Sequence, residues 1–119
     1  MSFFQKVLSK DDNIDVEEFL NNIDAVEEES YEDADAFVKP LLLQGDADKA
    51  IIIAEVKKGN FMLVNISDLA KRNAIKLRDM INELKQETDL IDGDIARISH
   101  DHVLITPSKV KIVKRREVA

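Results

Sequence analysis

Charge is distributed very unevenly along this chain, and the distribution limits which part of it is able to fold. Residues 11–35 contain twelve Asp and Glu and no Lys or Arg. A stretch with so many like charges repels itself and is a poor candidate for a core. Residues 1–10 contain two lysines and no acid, whereas residues 36–119 contain fifteen basic and twelve acidic residues. We therefore expect three regions: a short N-terminal segment, an acidic linker over 11–35, and a globular domain over 36–119.

Length and composition narrow the classes of protein further. A chain of 119 residues, 45% of them hydrophobic, has room for one compact domain with a tail. The absence of cysteine excludes a disulfide framework and thiolate metal sites. No apolar run approaches the ~20 residues that cross a bilayer. The N-terminus also lacks the features of a cleaved secretory signal, so we expect it to remain on the mature protein.

The first ten residues, MSFFQKVLSK, are amphipathic when placed on a helix. Their apolar side chains share one face: Met1, Phe3, Phe4, Val7 and Leu8. Lys6 and Lys10 lie on the opposite face, an arrangement typical of a helix that lies in a membrane interface. Two other interpretations remain open at this point: a frayed terminus, or Phe3 and Phe4 docked on the protein's own core.

The acidic segment also contains apolar residues at helical spacing: Val16, Phe19, Leu20, Ile23 and Val26. Asp15 followed three residues later by Glu18 resembles a capping box, so a transient helix over about 16–28 is expected. Such a helix is able to dock on a partner, but a solvated tether with nascent helix is the favoured interpretation. As a flexible coil, 25 residues span on the order of 25–30 Å.

Two helices are predicted within residues 36–119. The first runs from Asp46 to Lys58, although its Ile51–Ile53 run leaves a strand as the alternative. The second is long, is capped by Ser67 or Asp68, and ends near Glu87. Its apolar residues form one stripe: Ala70, Ala74, Leu77, Ile81 and Leu84.

Strand candidates occupy short apolar segments between and after these helices. They are AFVKPLLLQ (36–44), FMLVNI (61–66), TDLI (88–91), DIARI (94–98), HVLIT (102–106) and KVKIVK (109–114). Pro40 limits the first of them to an edge or bulged position, because proline cannot donate to a ladder. Together the pattern predicts a two-layer α/β sandwich with two helices packed on a mixed sheet of about five strands.

Motifs that would indicate catalysis are weak. The three glycines stand apart and form no phosphate-binding loop. His100 and His102 are the best metal candidates, but a site needs further ligands, and a polar hairpin tip is the favoured interpretation. Turn chemistry accounts for Asp92 and Asp94. The basic C-terminus lacks interleaved aromatics, so no nucleic-acid partner is predicted. We expect no catalytic residue, metal or cofactor, and a protein that is not an enzyme.

The stretch GDIARISHDHVLITPSKVKI, residues 93–112, resembles the signature of the SepF family. The family pattern is a GDI-x-[RK]-I turn and strand, a strand that ends in Thr-Pro, and a V-x-[VI] strand. Upstream, Pro40, DADKAIIIAEVKKG, VNI at 64–66 and KLRDMI at 76–81 are similar to further family segments. The resemblance extends over roughly Phe37 to Val113. No single motif is specific, but their combination in this order along the chain is.

SepF proteins anchor FtsZ, the tubulin-like division protein, to the membrane, so the resemblance implies a function. It implies a homodimer of α/β sandwiches that binds the FtsZ C-terminal tail, with Arg97 and Val103 on the partner-binding surface. It also implies that residues 1–10 bind lipids of the cytoplasmic membrane at the division site, in a protein closest to the archaeal branch. The chain departs from the family where Ser99 replaces a common glycine, Met80 a common phenylalanine and Val103 a frequent aromatic residue. The alternative is a soluble interaction module that engages a basic partner through its acidic segment.

Overall fold

The computed structural model describes residues 15–23 and 33–114, which belong to two compact units of the chain, Met1–Ala34 and Asp35–Ala119. In the first unit, helix α1 spans Val16–Ile23. It begins where the capping residue predicts, because the backbone N–H of Glu18 donates to Asp15 Oδ1 at 3.1 Å. The expected continuation beyond Ile23 and the amphipathic helix over residues 1–10 lie outside the described residues.

The second unit is a mixed sheet with helices packed on it, as the pattern predicts. Its elements in chain order are β1 (Val38–Leu42), α2 (Asp46–Lys57), β2 (Phe61–Asn65), α3 (Ser67–Arg72), α4 (Ala74–Leu90), β3 (Asp94–Arg97) and β4 (His102–Thr106). The strand order is β1-β2-β4-β3; β1 is parallel to β2, and the other two pairs are antiparallel. The expected α/β sandwich with a mixed sheet is therefore confirmed.

The core lies between the sheet and helices α2 and α4. Alternate residues of β2 and β4 are buried, as expected for a sheet covered on one face. The buried apolar residues are Leu43, Ile52, Val56, Met62, Val64, Ile66, Leu69, Met80, Leu84, Val103 and Ile105. Burying each such side chain stabilises the fold by about 1.5–3 kcal/mol relative to leaving it in water.

Strand β1 lies at one edge of the sheet, which confirms the position predicted from Pro40. Phe37 O accepts from the N–H of Phe61, and Leu43 N–H donates to Asn65 O. Because backbone groups alternate along a strand, the nitrogen of Pro40 faces away from β2, where no ladder hydrogen bond is lost.

The number of strands differs from the expectation of about five, since the described residues form four. Residues 88–90 complete α4 instead of starting a strand, and the Thr88 hydroxyl is buried and donates to Leu84 O at 2.6 Å. Segment 109–114 alternates like a strand but forms none. There the N–H of Ile112 donates to the Asp94 carboxylate at 2.8 Å and Lys109 has φ +66°.

The prediction of one long second helix is wrong, because α3 and α4 are separated at Asn73. Asn73 has extended backbone (φ −157°, ψ 85°), and its Oδ1 accepts from the N–H of Lys76 at 3.1 Å. Asn73 therefore caps a new helix. The expected cap by Ser67 or Asp68 is also wrong, since Asn65 Oδ1 accepts from both the N–H and the hydroxyl of Ser67.

Candidate functional site

The two residues expected on the partner-binding surface lie opposite each other on one hairpin. Arg97 of β3 and Val103 of β4 are Cα partners in the antiparallel ladder. Directly opposed residues of such a pair project to the same side of the sheet. That side is the helix-covered one, because Val103 belongs to the core and is only 5% exposed.

The turn that precedes β3 explains why the sequence needs Gly-Asp there. A Cβ on Gly93 would lie 2.3 Å from the backbone oxygen of Thr106, far inside van der Waals contact. The N–H of Asp94 donates to Thr106 Oγ1 at 2.9 Å. Only a residue without a side chain allows β3 to approach the end of β4 so closely, and this approach sets the register of the hairpin.

The Asp94 carboxylate joins the C-terminal segment to this turn. It accepts from the backbone N–H groups of Ile112 and Ile95, both at 2.8 Å, and from Lys114 Nζ at 2.9 Å. Donors that favour the charged form lower the pKa of Asp94 to about 2, the N–H of Ile112 being the largest cause and Lys114 the next. The carboxylate is thus a structural acceptor in its ionised form.

Asp92 makes a parallel connection on the other side of Gly93. Lys111 Nζ donates to Asp92 Oδ1 at 2.8 Å and to the backbone oxygens of Asp92 and Gly93, each at 3.0 Å. The hydrogen bond from Lys111 is the main cause that lowers the pKa of Asp92. Both aspartates are therefore engaged by lysines of the segment that follows β4, as expected of turn residues.

The Arg97 side chain is exposed and holds the turn between β3 and β4. Its Nε donates to Ser99 O at 3.1 Å, and its Nη2 donates to His100 O. These hydrogen bonds fix the guanidinium beside the hairpin, with its remaining N–H groups directed to the surroundings.

A groove of about 390 Å³ runs between helix α4 and strand β3. Its lining residues are Ile66, Ala74, Leu77, Arg78, Ile81, Asn82, Lys85, Ile95, Ala96, Arg97 and Val103. Val103 contributes to this lining from the core, while Leu77, Ile81 and Ile95 are partly buried apolar residues packed against that core. The structure thus brings Arg97 and Val103 into one groove, whose apolar surface comes mainly from their neighbours.

The charges of the groove lining are all positive. Arg78, Lys85 and Arg97 line it, and no carboxylate belongs to the lining among the described residues. Arg78 is partly neutralised by Asp79, with Nη2 and Oδ1 3.2 Å apart. An apolar groove with cationic groups at its side suits a peptide that carries apolar residues and a carboxylate.

The hairpin tip contains His100 and His102, the best metal candidates in the sequence. A ring nitrogen of His100 lies 2.9 Å from Asp101 Oδ1, whereas His102 Nδ1 lies 3.0 Å from Ser99 Oγ. The imidazoles thus interact with different partners, and no group of three or more potential metal ligands occurs within the described residues. Within those same residues, no helix has the length and apolarity to cross a membrane.

The helical wall of the groove was not predicted as a functional element. Leu77 and Ile81 are four residues apart, and Arg78 and Lys85 are seven apart, so each pair falls on one face of a helix. This spacing was available in the sequence. The sequence places Leu77 and Ile81 in the apolar stripe that is expected to face the core, because nothing in the local pattern indicates which strand lies opposite.

Comparisons with known proteins agree with the fold. The family model described as cell division protein SepF matches residues 23–112. The SepF-like protein from Archaeoglobus fulgidus has a similar solved structure, with TM-score 0.62 and 22% identity over 70% of this chain and 99% of that one. The SepF-like protein from Pyrococcus furiosus gives TM-score 0.62 and 26% identity over 67% and 96%.

A third solved structure is that of cell division protein SepF from Methanobrevibacter smithii in complex with FtsZ-CTD. It has TM-score 0.58 and 15% identity over 66% of this chain and 99% of that one. No curated protein sequence matches the chain. The match to the family covers most of the chain, and a cell division protein of this family is not an enzyme, in agreement with the prediction. By its family match and its fold, the chain belongs to the SepF family of cell division proteins.

Proposed function

We propose that this chain anchors FtsZ filaments to the cytoplasmic membrane at the division site. Residues 36–119 form the domain that binds the FtsZ C-terminal tail, residues 11–35 act as the linker, and residues 1–10 bind lipid. The observation that carries the proposal is the apolar groove beside Arg97, in a fold similar to that of a SepF protein solved with FtsZ-CTD.

The groove supports the binding of a short peptide through two kinds of contact. Leu77, Ile81 and Ile95 offer apolar surface to the hydrophobic side chains of the tail. Arg97 is held by the turn carbonyls and presents its free N–H groups to a carboxylate or a carbonyl of the tail. Val103 supports this surface from the core side.

The N-terminal decapeptide supports membrane attachment through its composition. Phe3, Phe4, Val7 and Leu8 supply an apolar face, and each of Lys6 and Lys10 contributes ~1 kcal/mol beside an anionic leaflet. One such segment binds weakly and reversibly. We propose a homodimer, because two segments on one particle bind far more tightly through their high effective concentration.

One experiment tests the membrane half of the proposal. Full-length protein is mixed with FtsZ filaments and vesicles that contain anionic lipid, and vesicle pelleting and filament attachment are recorded. Phe4→Glu combined with Leu8→Glu should abolish pelleting and filament attachment while leaving the affinity for the FtsZ tail peptide unchanged. If this variant still pellets with vesicles as the unmodified chain does, the membrane assignment is wrong.

A second measurement tests the groove. Arg97→Glu should weaken binding of an FtsZ tail peptide in calorimetry by about tenfold or more, because charge-assisted hydrogen bonds contribute ~1.5–3 kcal/mol. Lys109→Glu is the matched control, since it makes the same change of charge outside the groove and should leave the affinity unchanged. An Arg97→Glu variant that binds as tightly as the control would remove Arg97 from the site.

A further inference from the structure

Helix α1 presents two chemically distinct faces. Val16, Leu20 and Ile23 are exposed at 56%, 45% and 64%, and Phe19 lies on the same side of the helix. At 100° per residue these four positions cover an arc of about 100°, the width of the apolar stripe with which a helix packs on another surface. The opposite side carries Glu17, Glu18 and Asn21.

Helix α1 lies almost wholly outside the part of the chain that matches the family. The family match begins at residue 23, so nearly all of α1 precedes it. The apolar residues of α1 are also too regular for a plain spacer, which needs charge and length but no stripe. A helix of eight residues is below the length at which isolated helices are stable in water, so it gains stability when its apolar face is covered.

The negative charge of the segment around α1 limits which kinds of surface are able to cover its apolar face. The segment around α1, residues 11–35, carries twelve acids and no base. An anionic lipid surface would repel it, and an acidic protein surface would do the same. A surface rimmed with Lys and Arg would attract it and increase its rate of association.

We propose that α1 is a docking helix for a second protein that presents an apolar groove rimmed by basic residues. Leu20 and Ile23 enter the groove as anchors, with Val16 beside them, and carboxylates of the segment 11–35 face the basic rim. This is the helix-in-groove mode, read by residues at i, i+3, i+4 and i+7. The proposal does not depend on the binding of FtsZ by the domain.

Binding of a probe of this chemistry tests the recognition mode with the full-length chain. The probe is a synthetic helical peptide with leucines at i, i+3, i+4 and i+7 and lysines on both sides of that stripe, and binding is measured by calorimetry at several salt concentrations. Leu20→Ala with Ile23→Ala removes the anchors but retains helix propensity, because alanine is the best helix former. Asn21→Ala is the matched control on the polar face.

The unmodified chain and Asn21→Ala should bind equally, and the double variant about tenfold or more weakly, because two apolar contacts are lost. Affinity should fall with salt for every variant. Equal binding by all three chains would show that the acidic segment acts only as a polyanion, and it would overturn the proposed docking helix. Failure of the unmodified chain to bind the probe would also overturn it.

A photoreactive residue in place of Leu20 identifies the occupant in the cell. The expected product joins this chain to a different protein through a basic surface, and the purified partner should bind Asn21→Ala but not the double variant. A product made of two copies of this chain, a product with lipid, or no product would overturn the proposal.

Discussion

Gly93 determines the geometry of the hairpin because glycine has no Cβ atom. The backbone oxygen of Thr106 occupies the space of a side chain, and Thr88 Cγ2 would also lie 3.0 Å from an added Cβ. The strand pair that carries Arg97 and Val103 starts from this contact. A methyl group there has to push β3 away from β4.

We therefore expect Gly93→Ala to destabilise the domain by about 2–3 kcal/mol, because overpacking against backbone cannot be relieved by a rotamer change. Urea denaturation measures the effect. Gly45→Ala is the control, since an added Cβ there meets nothing within 4 Å. Equal losses of stability in the two variants would contradict the steric explanation.

Asp94 gives the domain a pH dependence at acid pH. Its pKa falls from the ordinary 3.8 to about 2 in the folded chain, chiefly through the N–H of Ile112 and then through Lys114. A depressed pKa in the folded state contributes stability that is complete above pH 3.8 and is lost as the pH falls through about 2.

Asp94→Asn should therefore lower the free energy of unfolding at pH 7, and its difference from the unmodified chain should shrink as the pH falls from about 4 to 2. Denaturant titrations across this range measure the change. Asp89→Asn, which removes an exposed carboxylate of α4, is the control and should lower the free energy of unfolding at pH 7 by less than Asp94→Asn does. A difference for Asp94→Asn that is constant with pH would mean that its charge is not involved.

At the scale of the elements, the boundary between α3 and α4 is set by a side chain. The apolar stripe continues through the boundary, and Asn73 interrupts the backbone because its Oδ1 offers the N–H of Lys76 an acceptor. Asparagine competes for backbone donors in this way both in caps and in turns. The periodicity of the sequence could not show which role Asn73 takes.

Asn73→Ala should lower the stability by about 1 kcal/mol through loss of the cap. The urea midpoint should fall while the slope of the transition stays constant. Gln86→Ala, on the exposed surface of α4, should change stability little. A midpoint unchanged by Asn73→Ala would indicate that the two helices do not need this cap.

The local sequence pattern predicts most of the helices and strands, but it does not predict the conformation of segment 109–114. β1, α2, β2, β3 and β4 follow apolar runs and turn residues that are visible in the sequence. Segment 109–114 alternates like a strand, but its N–H at Ile112 is satisfied by the Asp94 side chain, eighteen positions earlier. A partner so distant in sequence leaves no periodic signal.

At the scale of the whole molecule, charge predicts a division of the chain into an acidic segment and a folded domain. Charge does not predict the candidate site. Arg97 and Val103 were expected through the family signature, whereas their wall on α4 requires knowledge of which helix packs beside β3. Sequence spacing gives the face of a helix, and only tertiary packing gives what that face meets.

The position of Pro40 also has a consequence for assemblies of this chain. Among the described strands, β1 and β3 are the two edges of the sheet, and proline leaves β1 without a donor where a neighbouring strand would need one. At β3, the N–H of Ile95 faces the open edge and already donates to the Asp94 carboxylate. Each edge of the described sheet therefore lacks a free donor that a further strand would need, so the fold guards against fibres built by edge addition.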